Sequence, residues 1–124
     1  MKNLTEFINE ELDKAQMSKI HAMREKAKKT ALLAIKKGFG GKDEADLKAL
    51  AERTCETLGN YKDQDDFWDA VDRGDVSSFD ELSKLASAAN GNQEVDGDTL
   101  MDVIELIARG QTLDNAIAEL AKKI

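Results

Sequence analysis

The chain contains no proline, a single cysteine and a single histidine in 124 residues. Without proline, nothing forbids long uninterrupted helix. The lone thiol, Cys55, excludes an internal disulfide and reads as a small buried side chain. The lone imidazole, His21, sits among lysines, and no second set of nitrogen or sulfur ligands accompanies it, so no zinc site is expected. No spacing ties it to a nucleophile and an acid, as a hydrolytic triad requires. Aromatic residues make up only 5%, so Leu, Ile, Val, Ala and Met must supply most of the core. No apolar run approaches the ~20 residues of a membrane-spanning helix, and no membrane partner is expected. Glu6, Glu10 and Glu11 argue against a secretory or transit leader. There is no P-loop, dinucleotide fingerprint or nucleophile elbow. The glycines of Gly38-Phe39-Gly40-Gly41 follow a helical pattern instead of preceding one, so they make no phosphate cradle. The expectation is a non-enzymatic protein with no cofactor and no metal.

What is present is charge and helical periodicity. Charged residues are 35% of the chain and hydrophobic residues 41%, too apolar for a disordered chain and too charged for an average domain. The net charge of −7 is distributed unevenly. Residues 14–42 hold nine Lys or Arg and one acid, Glu25, whereas residues 43–124 hold eight basic and twenty acidic residues. A cationic segment is thus joined to an anionic body, and the two face different neighbours.

Residues 3–37 contain no glycine, and Asn3 and Glu6 stand at capping-box spacing. Leu4, Phe7, Ile8, Leu12 and Ala15 follow helical spacing, and a second set runs through Ile20, Met23, Ala27, Ala31 and Ala34. One long helix, or two broken near Ser18, fits this run, and the glycines at 38–41 end it through a left-handed C-cap. Further on, Asp43, Asp63, Ser78, Asp98 and Thr112 are candidate N-caps, and Gly59-Asn60, Gly74, Asn90-Gly91 and Gly110 are stop signals. No stretch alternates with period two. The fold expected is all-α: a compact bundle of about six helices with a long N-terminal helix. Residues 1–41 form a basic helical segment and 42–124 an acidic bundle, within one folding unit.

Acidic patches suggest cations. Asp65, Asp69 and Asp72 share one helical face, which reads as a solvated surface, with Phe67 and Trp68 as core anchors. The loop from Asn92 imitates the first half of an EF-hand through Glu94, Asp96, Gly97 and Asp98, but Val103 stands where the bidentate glutamate belongs. Residues 107–120 outline a helix–turn–helix, yet Asp114 and Glu119 would repel phosphates in a major groove. The cations Lys14, Lys19, Arg24, Lys26, Lys28, Lys29, Lys36 and Lys37 fit three roles. They can dock on the acidic body, contact nucleic-acid phosphates without sequence preference, or meet an acidic protein. No aromatic lies between Phe7 and Phe39, so base stacking is not indicated.

The first ten residues, Met1-Lys2-Asn3-Leu4-Thr5-Glu6-Phe7-Ile8-Asn9-Glu10, resemble the capsid-targeting leader of internal head proteins of tailed phages of the T-even type. Such leaders begin M-K-x-[aromatic or aliphatic]-x-E-F-I-x-E, and Leu4 departs from the tyrosine often found there. The resemblance implies recruitment into the prohead through Leu4, Phe7, Ile8 and Glu10, and cleavage after Glu10 by a prohead protease. It implies a head-associated protein whose basic segment contacts DNA or an acidic shell protein, located in the virion head or the bacterial cytoplasm. The alternative is a small cytoplasmic interaction protein, a phage-encoded inhibitor of a host system or an adaptor, acting through its acidic face. The oligomeric state is left open.

Overall fold

The computed structural model describes residues 20–124, which are all-α and compact, with six helices and no strand among the described residues. The first helix, α1, carries the bounds Leu4–Phe39 and enters the described region at Ile20. It is followed by α2 (Glu44–Gly59), α3 (Gln64–Asp72), α4 (Ser77–Ala88), α5 (Gly97–Ala108) and α6 (Leu113–Ala121). The expectation of a helix running unbroken from residue 3, or breaking near Ser18, falls outside the described residues.

The bundle is organised around α5. Leu100, Met101, Val103, Ile104, Leu106 and Ile107 are all buried, so this helix is apolar nearly all round and serves as the central rod. It packs on α2, α6 and α1, while α1 also lies along α4. Each fully buried Leu or Ile contributes roughly 1.5–3 kcal/mol, so α5 holds a large share of the stability. From α1, Ala31, Leu32, Ala34, Ile35 and Phe39 enter the same core. Small residues at 31, 34 and 38 let α1 approach its neighbours closely. At Gly38 the approach is backbone to backbone: a Cβ there would stand 2.3 Å from the Leu85 carbonyl oxygen in α4. Despite their scarcity, the aromatics build one edge-to-face cluster. Phe67 lies 5.3 Å from Trp68 and 6.2 Å from Phe79, and Trp68 lies 5.6 Å from Phe79. This cluster binds the short α3 to α4.

Local capping signals hold at some helix ends and fail at others. The Asp63 carboxylate accepts the Asp66 N–H at 2.9 Å, and the Thr112 hydroxyl accepts the Asn115 N–H, as expected of N-caps. Gly110, at φ 107°, makes the left-handed turn into α6. Ser78 is not a cap: α4 begins one residue earlier, and Ser78 is buried with its oxygen 2.8 Å from the Thr54 hydroxyl. A tertiary hydrogen bond between α2 and α4 has taken the hydroxyl that the S-x-x-E spacing assigned to capping. Asp98 is not the cap of α5 either. Asp96 holds that place and accepts both the N–H (3.1 Å) and the hydroxyl (2.6 Å) of Thr99. Nor do Gly40 and Gly41 adopt a left-handed conformation. The chain leaves α1 through ordinary turn bonds, Gly40 N–H to Lys36 and Lys42 N–H to Phe39, and Gly38 is needed for space instead.

Candidate functional site

The core-facing stripe of α1 extends beyond the core. Ala31, Ala34 and Ile35 are buried, and one and two turns earlier the same stripe carries Ala27, Met23 and Ile20 at three- and four-residue spacing. There it is bare: Met23 is 70% exposed and Ile20 49%. The cations Arg24 and Lys26 flank this bare stripe, with Lys28 and Lys29 following, and all four are exposed. None of them, nor Lys36 or Lys37, belongs to an ion pair among the described residues. His21 is exposed and sits 2.9 Å from Glu25 one turn on, a surface position. Leu4, Phe7, Ile8, Glu10, Lys14 and Lys19 lie outside the described residues. Of the eight cations singled out from sequence, six are therefore placed, and α1 separates them. Lys36 and Lys37 ride above the packed half, and Arg24 to Lys29 ride on the half that precedes it.

Lys28 marks the boundary. With Leu32 it borders a small cavity of about 120 Å³ shared with Asp102 of α5 and Lys123 after α6. Partial burial, aided by the neighbouring Asp98, raises the Asp102 pKa above the usual carboxylate value, and Lys123 and Lys28 act in the opposite sense. Here a cation of α1 comes near a carboxylate of the central helix.

On the far side of Asp102 the surface opens into a groove of about 320 Å³ between α2, α3 and α5. The half-buried Leu58 and Trp68, backed by the buried Phe67 and Met101, lie at its base, and Gln64, Asp98, Asp102 and Glu105 line its rim. Beyond the half-buried Trp68 ring a second hollow of about 340 Å³ is edged by Asp72, Asp80 and Glu94. Neither hollow has a Lys or Arg in its wall. Half-buried Leu58 and Trp68 beneath an anionic rim make a surface suited to a cation that also carries apolar surface. From sequence, Trp68 reads only as a core anchor. The groove escapes a sequence reading because α5 contributes the rim from a stretch distant along the chain. The one signal for it is Asp98, Asp102 and Glu105 at helical spacing along an otherwise apolar helix.

Cys55 is partly buried, and burial first, then the nearby Glu105 carboxylate, pushes its thiol pKa up, against an opposing Arg109, the reverse of an activated nucleophile. In the EF-hand-like loop, Asp96 is engaged as the α5 cap. No group of three or more His, Cys, Asp or Glu side chains arranged to hold a metal occurs among the described residues. No described helix is long and apolar enough to cross a membrane. Compared with known proteins, the chain matches no family model, no curated protein and no solved structure.

Proposed function

We propose that the chain is a non-enzymatic tailed-phage protein that associates with the head, recruited through its N-terminal helix and bearing a cationic arm toward DNA or an acidic shell protein. The observation that carries this reading is the separation of charge in space. Arg24, Lys26 and Lys29 stand exposed on α1 ahead of the core, while carboxylates line α3, one face of α5 and the loops between the later helices. Such an arm supplies sequence-independent phosphate contact that weakens steeply with salt. The leader-like first ten residues support the same setting. Removing residues 1–10 is expected to abolish incorporation into particles assembled in the host while the circular dichroism spectrum stays helical. Protein expressed in full is expected to be recovered from particles cleaved, with its first residue Glu11. Normal incorporation of the truncated protein would refute the reading.

The acidic surface favours a second reading, an interaction protein that occupies a basic cleft of a host protein. The exposed Asp65, Asp69 and Asp72 row on α3 supports it. Stoichiometric capture of one basic host protein, lost on neutralising that row, would decide for it.

A further inference from the structure

The bare stripe on α1 and the acid-rimmed groove beside Trp68 are chemical complements carried by one chain. The stripe offers Ile20, Met23 and Ala27 between the cations Arg24 and Lys26. The groove offers the half-buried Leu58 and Trp68 between Asp98, Asp102 and Glu105. A stripe that is buried at Ala31 and exposed at Met23 is an interface half-used by its own fold. Within one molecule α1 is held at Ala31–Phe39, and residues 20–27 continue it as one helix. Folding residues 20–27 back onto that groove would break the helix where Lys28 and Leu32 already border Asp102.

We propose that the occupant of the groove is the α1 segment Ile20–Ala27 of a second copy of this chain, so that two copies exchange arms. The apolar stripe covers Leu58 and Trp68, and Arg24 and Lys26 face the carboxylate rim. Exchange is reciprocal, so two grooves and two arms are satisfied in one closed, two-fold pair. Direct pairing of two α1 stripes would instead bring Arg24 and Lys26 against their own copies, which like-charge repulsion opposes. A polyanion competes with the groove for the same cations, so DNA binding and arm exchange exclude each other.

The test is a charge swap read by analytical ultracentrifugation. One variant reverses the arm (R24E with K26E), and the other reverses the rim (D98K with E105K). These side chains lie outside the buried core, and helicity is checked by circular dichroism. The wild type is expected to dimerise with rising concentration, with the dissociation constant about tenfold weaker at high salt. Each variant alone is expected to remain monomeric, and an equimolar mixture to recover the dimer, since arm and groove are then opposite in sign in both directions. A wild type that stays monomeric at every concentration overturns the proposal. So does a dimer that survives in either variant alone, or a mixture of monomeric variants that fails to pair.

Discussion

Two stretches of the same helix behave differently. From Ala31 to Phe39, α1 buries its stripe against α4, α5 and α6. From Ile20 to Ala27 the stripe continues in register but stands exposed. Helical spacing does not change between them, although the packed stretch is richer in large apolar side chains (Leu32, Leu33, Ile35, Phe39). What changes is whether a neighbour of matching shape exists. An apolar period therefore reports that a face is meant to be covered, and the partner is set by tertiary structure.

Substitutions can break this contrast or sharpen it. The largest effect is expected at Gly38. Alanine normally strengthens a helix interior by about 1 kcal/mol over glycine. Here its Cβ would strike the Leu85 backbone, so G38A should reverse sign and destabilise by about 4 kcal/mol or more in urea titration. A stabilised G38A would deny the close α1–α4 approach. Next, Ile35→Ala, emptying a fully buried site in the packed half, should cost about 3 kcal/mol. At the boundary, Asp102→Asn should act weakly and with pH. Because the folded-state pKa is raised, protonated Asp102 favours folding at low pH, and that contribution is lost as pH rises through the raised value. The amide substitution should thus raise Tm on the order of 1 °C at pH 7 and not at pH 3. An equal gain at both values would remove the electrostatic cause. Smallest of all, Met23→Ala in dilute protein should shift stability by no more than about 0.5 kcal/mol, although the same stripe is decisive farther along the helix. A cost comparable to Ile35→Ala would mean that Met23 packs within its own molecule.

The all-α architecture was legible because its signals are local. Helical spacing, absent proline and stop glycines placed the six helices, and Asp63 and Thr112 capped where their spacing said. Errors arose where a side chain had two uses. Ser78 satisfied the capping pattern, but Thr54 claimed it across the α2–α4 contact. Gly38 read as part of a stop signal, yet its lack of a side chain serves Leu85, a neighbour far along the chain. The basic segment was legible as a charge run. That residues 20–27 are exposed and the last turns of α1 are packed was not, since that depends on where α4, α5 and α6 lie against it. The groove was least legible. Its floor comes from α2, α3 and α5, and only folding brings Leu58, Trp68 and Met101 beside one another.

Amide hydrogen exchange along α1 at two protein concentrations tests the central claim most directly. Amides of residues 31–39 should be protected at both, because the core covers them within one molecule. Amides of residues 20–27 should exchange quickly in dilute protein and become roughly tenfold slower at the high concentration, as the groove of a second copy covers them. Protection of residues 20–27 that is the same at both concentrations, whether high or low, would contradict the account.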